Sequence, residues 1–188
     1  MAAAVRIWQD TGAPYALHME VEPGSLDQLN GLLARLRAGM GAQAARIVEQ
    51  AMAKATEQLR TVAFDQTPVG ATAFLRDTIG AQVSVHSQEP VDVSGYVWWR
   101  AGYAPVVEYG SRPHWPPVGP LVHWAERKLH VPPGESYGVA RRIQFAIARR
   151  GTRAQEFAQR SLSLAQPLIE RAFREAADRL ARLMSGGV

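Results

Sequence analysis

Residues 102–117, GYAPVVEYGSRPHWPP, leave the backbone little freedom. Sixteen positions hold three aromatics, one acid, one arginine and four prolines. Pro105 is tolerated in the first turn of a helix, so residues 104–109 read as a short one. Gly110 accepts the left-handed conformation that would cap it. Pro113, Pro116 and Pro117 argue against regular structure as far as Pro120, and they lower the cost of ordering an extended arm. The stretch holds an active site, a metal or only a shape, and the surrounding chain decides which.

Upstream, YALHMEVE alternates strictly, with Tyr15, Leu17, Met19 and Val21 on one face, which predicts a half-buried strand. VRIW is its expected hairpin partner, with the turn near TGAP. Ser25 is placed to cap a short helix over 26–37, which Gly39 and Gly41 should break. A longer helix is expected over 42–64, with Ala44, Ile47, Val48, Ala51, Ala55, Leu59 and Val62 on one stripe, ended by Thr67-Pro68-Val69-Gly70. One or two helical turns follow over 73–79, then strands over 81–87 and 93–101 as an antiparallel hairpin. In the second strand Val97 and Trp99 oppose Tyr96 and Trp98, so both faces are bulky.

Further helices are predicted over 121–129, over 136–150 with Ser136 as cap and Gly151 as stop, and over 158–184, where Pro167 is a point of kinking. The order is strand, helices, hairpin, helices. The fold class is α+β, a small antiparallel sheet flanked by helices. A long helix lies near the N-terminal third and another at the C-terminus. A length of 188 residues fits a single domain over 1–188, with 112–151 as an inserted Pro-rich arm plus helices.

The chain lacks cysteine, which excludes disulfides, thiolate nucleophiles and Cys-based zinc sites. No signal-peptide pattern opens it, and no window nears the roughly 20 apolar residues that span a bilayer. These features predict a soluble protein made in a cytoplasm, with no membrane partner. The formal net charge is +4, and residues 141–182 hold ten Arg against Glu156, Glu170, Glu175 and Asp178. Two readings stand. Solvated helix faces would pair Arg171 with Glu175, Arg174 with Asp178 and Asp178 with Arg182. Alternatively, the less compensated Arg141, Arg142, Arg149, Arg150 and Arg153 form a face for DNA or an acidic partner.

Chemistry finds little to hold. His114, His123 and His130 are nine and seven apart, not the four of a helical zinc motif, and no metal or other cofactor is expected. GxSxG, GxGxxG and GxxxxGK[ST] are all absent. Glu108 and Glu126 are the sole carboxylates near the aromatic cluster that a small hydrolase would use; an ion pair of Glu108 with a neighbouring Arg is the better expectation.

Three segments carry a resemblance: TPVGATAFLRDTI from Thr67, YAPVVEYGS from Tyr103 and TRAQEFAQRSL from Thr152. Together they resemble the neck or tail-completion proteins of long-tailed double-stranded DNA phages. That family carries a Thr-Pro-Val turn, a Thr-Gly-x-Leu-x-x-Ser-Ile element and a Tyr-Ala-x-x-Val-Glu-Tyr-Gly-Thr signature. A Pro-x-Pro-Phe-Leu-x-Pro-Ala element precedes its final helix. Here Ala73 replaces the Gly, Thr78 and Ser111 replace Ser and Thr, and Ala154, Glu156 and Arg160 stand where the last prolines belong. The likeness spans about residues 42–184, with 112–151 as an insertion.

It implies a structural virion protein and not an enzyme. Such a subunit assembles in the host cytoplasm into a ring, six-fold in the family, at the head–tail junction or tail end. It meets neck, connector or tail-tube proteins, and double-stranded DNA passes through without sequence recognition. Tyr103, Val107, Glu108, Tyr109, Arg112, His114 and Trp115 are then candidates for subunit contacts, though Trp115 covering its own core is an equal alternative. A nucleic-acid-binding module is the rival reading.

Overall fold

The structure is a computed structural model that describes residues 5–10, 15–21, 38–88 and 91–185. Four strands, β1 (Val5–Asp10), β2 (Tyr15–Val21), β3 (Ile79–Gln88) and β4 (Val91–Trp99), form one antiparallel sheet in the order β1-β2-β4-β3. The six described helices are α1 (Ala38–Gln66), α2 (Phe74–Asp77), α3 (Ala104–Tyr109), α4 (Val118–Leu129), α5 (Pro133–Arg150) and α6 (Phe157–Met184). The fold is α+β, as the patterning predicts. The N-terminal hairpin joins the sheet through β2, which aligns Tyr15 with Trp99 and Leu17 with Val97.

Alternation sets the sheet's two faces. Leu17, Met19, Val93, Val97 and Trp99 are buried beneath α1. Gly95 marks the closest crossing: a Cβ there would lie 2.2 Å from the Thr56 Oγ1 and 3.0 Å from the Met52 Sδ. On the other face Tyr96 and Trp98 are half-buried. They lean on each other at 5.7 Å, and Tyr96 meets Ser84 Oγ at 3.1 Å. The stripe expected on α1 is buried, with Val62 at its margin, and α1 also packs along α6 through Ile169, Phe173, Ala176 and Leu180. Lys54 and Glu175 bridge those two helices, and Arg179 donates to Gln50 Oε1 at 3.0 Å.

Several expectations need correction. Helix α1 runs through Gly39 and Gly41 instead of starting after them. Gly in a helix costs about 1 kcal/mol relative to Ala, and the buried stripe that follows outweighs it. Helix α4 begins at Val118, so Pro120 lies in a first turn, where its missing N–H costs nothing. Helix α5 starts at Pro133, and Ser136 is inside it. Pro167 does not interrupt α6; it and Ser163, whose carbonyl loses its partner, are both exposed. None of the expected pairs within α6 closes to ion-pair distance among the described residues; Glu175 turns to Lys54 instead, and Arg171 acts on it only through its charge. The 26–37 helix with its Ser25 cap and the TGAP turn lie outside the described residues.

Ala73 stands at φ 56°, a left-handed backbone that suits the glycine it replaces in the family pattern. Ala73→Gly removes about 1–2 kcal/mol of strain and adds about 0.5–1 kcal/mol of unfolded-chain entropy. Denaturant titration is expected to show a net stabilisation of about 0.5 kcal/mol.

Candidate functional site: the joint between α3, the arm and α6

The signature segment builds a joint. Pro105 sits in the first turn of α3, and the helix lasts six residues before Gly110. Gly110 has the expected positive φ of 75°, but its ψ of −176° is extended, so it turns the chain away without continuing a left-handed cap. Ser111 then pairs with Thr152 in an isolated antiparallel bridge, with N–H···O distances of 3.1 and 3.2 Å, and the Thr152 Oγ1 lies 3.0 Å from the Ser111 Oγ. Everything between them, including α4 and α5, leaves and re-enters through that bridge. Gly151 closes it with φ 71°. A Cβ on Gly110 would lie 2.4 Å from the Thr152 carbonyl oxygen, and one on Gly151 1.9 Å from that of Ser111.

Glu108 is 1 % exposed and meets no Arg among the described residues. Its Oε2 accepts the Ala158 N–H at 2.8 Å and its Oε1 the Gln159 N–H at 3.1 Å. Its main-chain oxygen accepts from Gln155 at 3.1 Å and Glu156 at 3.0 Å. These bonds satisfy the start of α6, where every helix leaves N–H groups unpaired. The residue at the N-cap position, Glu156, has a left-handed backbone and offers no side-chain cap. Glu108 therefore caps α6 from outside, with its carboxylate at the positive end of the helix dipole. A buried carboxylate is tolerable when donors meet it in this way. The same main-chain bonds form the turn for which the family uses prolines.

Aromatic rings pack beside the cap. Phe157, the first residue of α6, stands edge-on to Trp99 at 5.1 Å and to Tyr15 at 6.3 Å. Tyr109 also meets Tyr15 edge-on at 6.3 Å, while its hydroxyl donates to Gln9 Oε1 at 2.8 Å. Burial, then the Tyr109 hydroxyl and the Glu108 charge, push the Tyr15 phenol far above its ordinary value, so it stays neutral. The Trp99 indole donates to Thr67 Oγ1 at 2.9 Å, and Thr67 donates onward to the Ala63 carbonyl at 2.6 Å. The Thr-Pro-Val turn, the hairpin, the α3 signature and the start of α6 thus meet at one place.

The remaining candidates fall in the arm or on the surface. Arg112 and His114 are exposed, and His114 Nδ1 lies 2.9 Å from the Arg112 carbonyl oxygen. Trp115 does not cover the core of the body: it is 60 % exposed and stands edge-on to Phe145 of α5 at 5.0 Å. Gln144 is buried and donates to the Pro116 carbonyl at 2.6 Å, fixing the Pro-rich strand on α5. Ser136 Oγ lies 2.9 Å from Glu126 Oε1, which ties α5 to α4. Glu126 is therefore on the arm, whereas Glu108 is sealed at the base of α6. Tyr103 is exposed and Val107 packs against the core. Arg142, Arg149, Arg150 and Arg153 are exposed, and Arg141 covers Phe145 at 5.1 Å. Among the described residues no group of three or more His, Asp or Glu is arranged to hold a metal ion, and no helix is long and apolar enough to cross a membrane.

Residues 30–110 match the family model described as "Bacteriophage HK97-gp10, putative tail-component". This segment resembles a phage tail component. The match ends at Gly110, one residue before the bridge through which the arm leaves. No curated protein and no solved structure matches the chain. Within the matched segment Thr67 lies beneath Trp99, Leu75 in the core, Glu108 over α6, and Gly110 where a side chain would collide.

Glu108→Ala leaves the N–H groups of Ala158 and Gln159 unpaired, each at about 1–3 kcal/mol. A loss of about 2–4 kcal/mol is expected by denaturant unfolding. Glu108→Gln, which keeps one acceptor, should lose less. Gly151→Ala forces a side chain onto the Ser111 carbonyl, and limited proteolysis is expected to cut within 112–151 faster than in the parent chain.

Proposed function

We propose that this chain is a subunit of a ring at the phage head–tail junction or tail end, six-fold as in the family it resembles. The ring joins the tail to the connector around the DNA channel. The observation that carries this reading is the coincidence of the tail-component match with a structural joint. The residues of the signature are spent on capping α6 and turning the chain, not on chemistry. Glu108, the acid a hydrolase would need, has both carboxylate oxygens occupied by backbone N–H groups. The body then forms the ring wall, and residues 112–151 form an inserted arm on a single α+β domain. Tyr103, Arg112, His114 and Trp115 are available for contacts with a neighbouring subunit or layer. Arg141, Arg142, Arg149, Arg150 and Arg153 supply positive charge toward an acidic neighbour or the passing double-stranded DNA.

Light scattering with negative-stain electron microscopy of the purified protein is expected to give a closed ring with a central hole. Gold-labelled antibody on intact particles should mark the junction between head and tail. Label confined to the free extracellular pool, with none on particles, would refute the assignment.

A further inference from the structure

The arm carries a surplus of positive charge. Residues 112–153 hold seven Arg and one Lys against Glu126 and Glu135, a net +6, where the whole chain has +4. Neither acid is placed to offset it. Glu126 accepts from the Ser136 Oγ and lies 4.0 Å from His123. Glu135 is in the first turn of α5, while Arg149 and Arg150 are in its last, roughly 21 Å further along the axis. Arg112, Arg142, Arg149, Arg150 and Arg153 are all exposed. Among the described residues no carboxylate comes within ion-pair distance of any of them, not even Glu156, three residues past Arg153.

The bridge between Ser111 and Thr152 is the stem of the arm, and it gathers four of these arginines. Arg112 adjoins Ser111, Arg153 adjoins Thr152, and Arg149 and Arg150 lead into Gly151. A Cβ on Gly151 would lie 2.9 Å from the Arg112 carbonyl carbon, and one on Gly110 3.0 Å from that of Arg153. The two glycines thus let the arginine backbones close in. Arg142 extends the row, two turns before Arg149 on the same side of α5 and about 10 Å away. Exposed Ala146 stands one turn from each of Arg142, Arg149 and Arg150, so the middle of that face carries no bulk.

Helix stability accounts for part of the row only. Arg149 and Arg150 complement the C-terminal end of the α5 dipole. Arg142 is mid-helix, and Arg112 and Arg153 lie outside the helix. Like charges held together without carboxylates repel one another. The stem and the bond from Gln144 to the Pro116 carbonyl nevertheless hold the arm in this arrangement, so the row is ordered before anything binds.

A regular polyanion fits such a row. Duplex DNA presents a phosphate about every 3.4 Å along each strand, whatever the sequence. Guanidinium forks take two phosphate oxygens at once, and seven of the eight basic residues of the arm are Arg. A protein contact centres instead on buried aromatic or apolar anchors. Here the centre is Ala146, and the adjacent Phe145 is already engaged by Trp115 and Arg141.

We infer that Arg112, Arg142, Arg149, Arg150 and Arg153 form a sequence-independent site for the phosphate backbone of duplex DNA, running from the stem along α5. The inference chooses between the two partners left open above, assigns Arg112 to DNA rather than to a subunit contact, and rests on the ring reading for the source of the duplex.

The test is fluorescence anisotropy of the full chain on two unrelated duplexes, from about 50 to 200 mM salt. Both should bind alike, with log affinity falling linearly against log salt. Arg112→Gln/Arg149→Gln/Arg150→Gln/Arg153→Gln should weaken binding about tenfold or more and make the slope shallower by about 3 to 4. Arg142→Gln alone should make it shallower by about 1. Replacing the same four residues by Lys, which keeps the charge, should preserve the slope. Arg171→Gln/Arg174→Gln, exposed on α6, should leave affinity and slope unchanged. Melting curves check that each variant folds. A parent chain that binds neither duplex at about 50 mM salt would overturn the site, as would Gln variants with the parental slope. Binding to poly-glutamate as tight as to the duplexes would overturn it in favour of an acidic protein. Loss of ring closure by the quadruple Gln variant would overturn it in favour of a subunit contact. Rings that close without binding DNA refute the site alone, whereas DNA binding by a chain that never closes and never labels the junction refutes the ring alone.

Discussion

One carboxylate organises this molecule. Glu108 receives the first N–H groups of α6 from a separate helix, and its own carbonyl receives the turn before them. Without it the longest buried stripe of the C-terminal half would begin with unpaired donors beside an aromatic cluster. With it α6 is aimed along α1, and the sheet, α1 and α6 enclose one core. The short helix α3 is thus less a piece of secondary structure than a bracket for that acid, held in place by Pro105 at one end and Gly110 at the other.

The bracket also explains the shape of the motif. A glutamate is long enough to reach across, and Gly110 must follow it because any side chain would strike the Thr152 carbonyl. Thr67 and Trp99 add a second tie from the far side of the cluster. These requirements are steric and hydrogen-bonding ones that meet in one cluster. They account for a signature that looks catalytic in composition while its acid is closed to solvent.

Legibility in the sequence followed the range of the forces. The alternation in β2, the α1 and α6 stripes and the 104–109 helix depend on neighbours a few residues away, and all were readable. The helices start at 38, 118 and 133, ahead of the boundaries that Gly41, Pro120 and Ser136 suggest. Packing and the permissive first turn overrode each of them. The role of Glu108 was out of reach, since its partners lie 50 and 51 residues later. The unmatched prolines before Phe157 gave a hint that another device must hold that turn. Pairing of β2 with β4 was equally invisible, because no local pattern says which hairpin meets which.

The bridge between Ser111 and Thr152 has a consequence for how such a chain can change. Forty residues enter and leave the body through two backbone hydrogen bonds and two glycines. That bridge is one rung of an antiparallel ladder. The α6 cap uses Glu108, Ala158 and Gln159, all outside the segment between the bridge residues, so that segment contributes no atom to it. Variation in length and charge can then accumulate beyond the stem while the core packed between the sheet, α1 and α6 is unchanged.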